Sequence, residues 1–438
     1  MKNLFMRIWM IAGILCYVFS LGYAYRENIS PNYAYMGLIF LKLDLFKEVL
    51  TVFLAAVPAA WMPIHIKRPS QLLYWVLYVL VVVPIVYIVP HAVKLEFADL
   101  ITLQTVVLFS FAVLGGFYLI RLVDFSLPRL TDGYFLASIF TISGIFLAVI
   151  GWKFGFKLRV FNIADIYQVR GEYKEALAEG GRWTAYFLGW QGNVLNPLLM
   201  GYGLACRRYL LMLVGLFLQL FLFALTGYKT LLLSGVLIVV VYFLTRRKSN
   251  HFGLKISWAF SSLVALCLVF DQLFGFVYFS SILVRRLIVT PGLLMGYYFD
   301  FFSNNPKVLL SHSIFQSLKI YPYSLNPAQL IGDVYFGAPE MSANANIWAD
   351  GFANFGLIGI LGVSIVLGLV LFLYDSVTQK VELPVACALL AVPAITLANS
   401  ALLTCLLTHG LGFAVLVALI VPRSSDPLSD WYCGPIHR

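Results

Sequence analysis

Residues 72–90 read LLYWVLYVLVVVPIVYIVP, nineteen residues without a charge. That is close to the roughly 20 apolar residues a helix needs to cross the hydrocarbon core of a bilayer. Runs of the same kind lie on both sides of it: 4–25, 47–64, 101–120, 133–151, 183–205, 210–225, 231–245, 256–283, 348–374, 384–400 and 401–421. Composition agrees. Of 438 residues, 61% are hydrophobic and only 11% charged, against about 25% charged in a soluble domain. A soluble domain, a disordered tail and a collagen-like fibre are excluded. The expected fold is an all-α polytopic integral membrane protein with about twelve, and up to fourteen, transmembrane helices. Residues 34–46 (AYMGLIFLKLDLF) carry Lys42 and Asp44 and read as an interfacial or re-entrant piece.

The net charge is +10. An even number of spans puts both termini on one side. One set of short connections then holds Lys2, Arg7, Lys67, Arg68, Arg121, Arg129, Arg207, Arg208, Arg246, Arg247, Lys248, Lys255, Lys380, Arg423 and Arg438. The positive-inside rule makes this set, and both termini, cytoplasmic. Five regions follow: N-terminal transmembrane helices (1–151), a first large outer loop (152–182), central helices (183–283), a second large outer loop (284–345), and C-terminal helices with a cytoplasmic tail (346–438). No cysteine lies in the outer loops, and no disulfide framework is expected.

Loops longer than about 12–15 residues are usually functional or disordered. The second outer loop carries ten aromatics, among them Tyr297 and Tyr298. Rings of this kind anchor at the membrane interface or stack on the apolar faces of sugars. The outer loops are also basic, with Arg170 and Arg182 in the first and Arg285-Arg286 opening the second. A planar guanidinium suits phosphate and carboxylate, so these arginines point to an anionic ligand at the membrane surface. Lipid head groups and acids such as Glu172 compete for the same contacts. Arg170 and Gly181, like Arg285 and Gly296, are separated by ten residues. That spacing pairs a cation with a backbone turn able to wrap an anion.

Two shorter stretches add candidates. Thr226-Gly227-Tyr228-Lys229-Thr230 is a very short outer turn, and Lys229 either snorkels or faces the same anion. In SANANIWADGFANFGLIG (342–359), Asp350 and Asn354 are four residues apart on one helix face, with Asn346 before them. An acid just inside a span is a functional candidate by default. Asp350 therefore leads as general base, with Glu172, Asp300 and His312 ranked below it. His312 reads more readily as a surface histidine. The outer acids are scattered, so neither a metal nor another cofactor is expected.

Together these features resemble the O-antigen polymerases of bacterial inner membranes, the Wzy family. The resemblance covers roughly residues 150–365. It rests on the two large outer loops with their Arg–ten–Gly spacings, the TGYKT turn at 226–230, FDFFSNNPKVLLSHS at 299–313 and NIWADGFANFGLIG at 346–359. It implies a GT-C-like glycosyltransferase that joins repeat units carried on undecaprenyl pyrophosphate at the periplasmic face. The growing glycan would pass from its lipid carrier to the distal sugar of a new unit. It also implies undecaprenyl-pyrophosphate-linked oligosaccharides, membrane lipids and a polysaccharide co-polymerase that regulates chain length as partners, and no nucleic acid. The similar O-antigen ligases use a histidine before a late span, and SANANIWAD has none. In the mechanism so implied, Asp350, Arg170, Arg285 and Arg286 are catalytic, and Arg170, Gly181, Arg182, Lys229, Arg285, Arg286, Gly296, Tyr297, Tyr298, Asn346 and Asn354 bind the pyrophosphate or the rest of the substrate. The competing expectations are a polytopic transporter or flippase for a lipid-linked or anionic substrate, and a ligase-like transferase.

Overall fold

A computed structural model describes residues 2–125, 130–155, 171, 182–247, 250–316 and 320–423. All regular secondary structure among them is helical. In chain order the helices are α1 (Asn3–Met36), α2 (Leu45–Ala56), α3 (Ser70–Ala92), α4 (Phe97–Leu119), α5 (Asp132–Phe154), α6 (182–205), α7 (Tyr209–Thr226), α8 (Lys229–Thr245), α9 (Phe252–Phe274), α10 (Ser280–Asn304), α11 (Pro327–Phe336), α12 (Ile347–Thr378), α13 (Leu383–Thr396), α14 (Leu402–Leu407) and α15 (Leu411–Ala418). Eight of these are long and apolar enough to cross a membrane: α1, α3, α4, α5, α7, α9, α10 and α12. α8, α13 and the broken pair α14–α15 are apolar but shorter. The chain is a multi-pass helical membrane protein. Hydrocarbon offers no partner for backbone N–H and C=O groups, so a spanning segment must satisfy them within its own helix.

The stretch 72–90 forms most of α3, which is buried within the protein over nearly its whole length. A helix apolar on every face belongs at the centre of a bundle. Its neighbours reach it through tyrosine and amide side chains. Tyr17 of α1 donates to the Val79 carbonyl, Tyr78 to Ala55 of α2, Tyr74 to Phe111 of α4, and Gln104 of α4 to Val86. Gly292 of α10 lies so close to Pro84 that a Cβ there would sit 2.5 Å from the proline.

A chain of buried amides ties α5 to α8. Gln191 donates to Ser143 (2.7 Å) and to Asn196 (2.6 Å), Asn196 donates to Gln219 (2.8 Å), and Gln219 donates to Ser234 (2.5 Å) and the Gly192 carbonyl (3.0 Å). Such bonds supply the specificity that apolar helix faces lack among lipid tails.

The short basic connections gather at one end of the bundle. Arg7 donates to the carbonyls of Ala59 and Met62, and Arg68 to those of Phe117 and Ile120. Asn250 pairs with the backbone of Ile66. Lys380 pairs with Asp124, Arg423 reaches Phe125, and Arg208 pairs with Asp132.

Two expectations about the other end change. Gly37 turns the chain in the left-handed region, residues 38–44 have no regular secondary structure, and Asp44 caps α2 by accepting from the Lys47 backbone N–H (3.0 Å). Residues 284–304, expected at the start of a loop, belong to α10 instead. They form a helix that is π-helical up to Val289 and α-helical from Thr290, with Pro291 at the junction. Both parts of α10 touch the same stretch of chain. Ser280 and Ser281 meet Asn28 and Tyr33, while Tyr297 donates to the Gly37 carbonyl. α10 therefore lies across the far end of α1.

Replacing Gln219 by leucine strands the Asn196 amide in an apolar interior and takes a donor from Ser234 and the Gly192 carbonyl. Gln219→Leu is expected to lower the denaturant-unfolding free energy by about 1–3 kcal/mol. An unchanged midpoint would show that the amide chain adds nothing to stability.

Candidate active site

The stretch 342–359 folds as a re-entrant hairpin. Asn346 caps the first turn of α12 by accepting from the N–H groups of Trp348 (3.0 Å) and Ala349 (3.1 Å), and its own amide donates to the Pro291 carbonyl. The helix runs only to Asn354. Phe355 (φ −138°, ψ 17°) and Gly356 (φ 62°, ψ −145°) break it. The chain then doubles back: Trp348 donates to Ser364 (2.8 Å), and a Cβ on Gly351 would meet the Gly359 carbonyl oxygen at 2.7 Å.

Residues 307–312 lie on this half-helix. Val308 N–H donates to the Ala353 carbonyl (3.0 Å), and Leu310 N–H to the Asn354 side-chain oxygen (2.7 Å). The Asn354 amide in turn donates to the Asp350 carbonyl (2.8 Å). Leu309 and Leu310 take positive φ (49° and 63°), a costly conformation for a non-glycine residue that persists only where surrounding contacts impose it. The Lys307 ammonium donates to the Phe302 carbonyl and lies 4.3 Å from the centre of the Phe352 ring. Burial lowers the Lys307 pKa.

This clamp brings His312 Nε2 to 3.6 Å from Asp350 Oδ1. The two side chains are 20% and 13% exposed, so both are screened yet reachable. His312 Nδ1 is buried and makes no hydrogen bond. Tyr321 is the aromatic neighbour, with ring centres 6.3 Å apart. Burial and then Tyr323 push its phenol up to about 12. At 3.6 Å the two groups face each other without a hydrogen bond, and since Nδ1 is buried, the side of the pair open to a proton is the one shared by Nε2 and the carboxylate.

The structure thus joins Asp350 and His312 and corrects the reading of His312 as a surface histidine. The loop supplies a histidine that SANANIWAD lacks. Lys307 lies against the same half-helix, over the Phe352 ring. Sequence reasoning passed over it, because only the folding of 307–312 onto Phe352 shows its place.

Several other expected site residues have structural tasks. Both polar ends of the Asn346 amide serve backbone groups, and Asn354 latches 307–312 to the half-helix. Tyr298 is buried and donates to the Ala343 carbonyl. Tyr297 is covered by Tyr335, stacked at 4.4 Å, so neither ring offers a face to a sugar. Asp300 accepts from the Tyr335 hydroxyl (2.5 Å), and burial, followed by that carboxylate, pushes the Tyr335 phenol up. Asp300 is thus tied to Tyr335 and is not brought to Asp350. Gly296 packs against Val89 and Val93, where a Cβ would come within 2.8 Å. It lies about three helical turns, roughly 16 Å, from Arg285, too far to wrap the same small anion.

Arg285 lies with its guanidinium 4.1 Å from the centre of the Tyr33 ring and donates to Ser281 (3.3 Å), while its Nε is buried without a hydrogen-bond partner. Arg286 is exposed. Phe352 packs on Phe299, which sets the Asp350 turn fourteen residues, roughly 20 Å, along α10 from Arg285. The arginines and Asp350 are therefore separate stations. Lys229 is exposed at the start of α8, after a turn that Gly227 and the Thr226 hydroxyl shape. Arg170, Glu172 and Gly181 lie outside the described residues, as does the side chain of Arg182. Among the described residues, no group of three metal-ligating side chains is found.

Asn354→Ala removes the latch under 307–312. Amide hydrogen exchange across that segment is expected to rise by up to about tenfold, the equivalent of one lost hydrogen bond. Unchanged protection would show that the latch is not what holds His312 to Asp350.

No protein-family model matches the sequence, and neither the curated proteins nor the solved structures yield a match.

Proposed function

We propose that the chain is a glycosyltransferase of the O-antigen polymerase kind. It lengthens a glycan carried on undecaprenyl pyrophosphate at the periplasmic face of the bacterial inner membrane. The observation that carries this reading is the Asp350–His312 pair, held by a re-entrant half-helix at the end of the bundle opposite the basic connections. The proposed topology has twelve crossings. α10 is not counted as a crossing, α13 and the broken pair α14–α15 make one crossing each, and both termini are cytoplasmic. With α10 not counted as a crossing, the 62 residues 284–345 remain one outer segment.

In the proposed step, the acceptor sugar hydroxyl attacks the anomeric carbon of the growing glycan. The new C–O bond forms as the bond to the donor pyrophosphate breaks, and the pyrophosphate leaves with that electron pair. The hydroxyl proton passes to the Asp350–His312 pair. Lys307, held over the Phe352 ring of the same half-helix, supplies a cation at this end of the bundle. Arg285 and Arg286 take a different part from the single clamp first expected. Roughly 20 Å away along α10, they suit the acceptor's own lipid pyrophosphate, with the repeat unit spanning the interval. Tyr33 fixes the Arg285 plane, and Arg286 remains open to the ligand.

The two stations respond differently to substitution. Asp350→Asn is expected to cut turnover by about 10²–10⁴-fold, the usual contribution of a positioned acid–base group, and to leave single repeat units on O-antigen gels. Arg286→Ala is expected to raise the substrate concentration needed, with turnover largely kept. Full-length ladders from Asp350→Asn at normal protein level would remove the pair from the chemistry.

A further inference from the structure

The basic end of the bundle carries a feature that glycan transfer does not use. An open cavity of about 370 Å³ lies between the start of α1 and the segment joining α2 to α3. That volume falls within the roughly 300–1,000 Å³ typical of small-ligand sites. Its walls are Asn3, Leu4, Arg7, Ile64, His65 and Lys67. Two permanent cations line it, and no acid does.

The donors are set in place. Arg7 Nη1 bonds the Ala59 and Met62 carbonyls, which fixes the guanidinium plane. An arginine has five N–H donors, so others remain for the cavity. His65 Nδ1 accepts from the His251 backbone N–H (3.1 Å). A neutral His65 therefore carries its hydrogen on Nε2, as a donor. Burial, then His251 and Lys67, lower the His65 pKa and favour that neutral form. Beside the cavity, α1 exposes Phe5, Ile8 and Trp9, and Leu4 is exposed at the cavity itself. A phosphate-sized cationic pocket thus adjoins a surface suited to acyl chains.

We propose that this cavity binds the phosphate head group of an anionic membrane lipid. Arg7 and Lys67 contact the phosphate, His65 Nε2 and the Asn3 amide donate to the head group, and an acyl chain lies along Leu4, Ile8 and Trp9. Basic pockets at the cytoplasmic ends of helices attract anionic lipids in this way. The apolar neighbourhood favours a lipid over free phosphate, which would gain nothing from it.

The test is native mass spectrometry of the full-length protein with phosphatidylglycerol, with phosphatidylcholine, and with soluble glycerol phosphate as competitor. One phosphatidylglycerol should be retained in preference to phosphatidylcholine. Lys67→Gln, an exposed side chain whose loss leaves the fold intact, should weaken that retention about fivefold. Arg121→Gln, an exposed cation at the same end but outside the cavity, should leave it unchanged. Equal retention of the two lipids would overturn the proposal. So would an equal effect of Arg121→Gln, which would signal diffuse surface charge, or complete displacement by glycerol phosphate, which would signal a soluble phosphate ligand.

Discussion

The outer end of the molecule depends on one reversal of the chain, at Phe355–Gly356. Gly356 has φ 62° and ψ −145°, a conformation in practice open only to glycine. Because the chain turns there, Ile347–Asn354 lies back against the start of the long part of α12. Gly351 and Gly359 meet with no room for a side chain: a Cβ on Gly359 would collide with the Gly351 carbonyl oxygen. The reversal presents Asp350 on a short, capped half-helix. An acid in the first turn of a helix is favoured by the partial positive charge there. The half-helix then offers its last carbonyl and amide groups to residues 307–312, and His312 follows.

The coarse fold was legible because hydrophobic runs report spans directly. Stretch 72–90 was read as a membrane helix, and the structure makes it the central helix of the bundle, buried on every side. Part of the basic set is brought together by contacts. Arg7, Arg68, Arg208, Lys380 and Arg423 come to one end through contacts made far apart in sequence. α10 was not legible as a helix. Its charges at Arg285 and Arg286 and its aromatic half resemble loop composition, and its helical character rests on packing against α3 and α12.

The site was legible in part. Asp350 stood out because an acid inside an apolar run is costly, and Asn354 because it sits one turn on. Their partner was not visible: His312 lies 38 positions earlier and reaches Asp350 only because strained backbone at Leu309 and Leu310 curls the loop onto the half-helix. The Arg285/Gly296 spacing illustrates the opposite case. In a loop, ten intervening residues could fold a cation and a turn around one anion. In a helix they separate the two by about three turns, and the glycine serves close packing against Val89 and Val93. Separating the arginines from the acid–base pair gives the reading its main structural feature: one station for chemistry and another, a helix length away, for a charged lipid anchor.

The central claim is that Asp350 and His312 carry out glycan transfer. It is tested most directly with the purified protein in liposomes, supplied with one defined lipid-pyrophosphate-linked repeat unit and no ion gradient, with product length read by mass spectrometry. The account requires chains of two or more units, one lipid pyrophosphate released per bond formed, and none of this from Asp350→Asn. Repeat units that cross the bilayer unchanged in length, equally well with Asp350→Asn, would contradict it and mark the protein as a transporter.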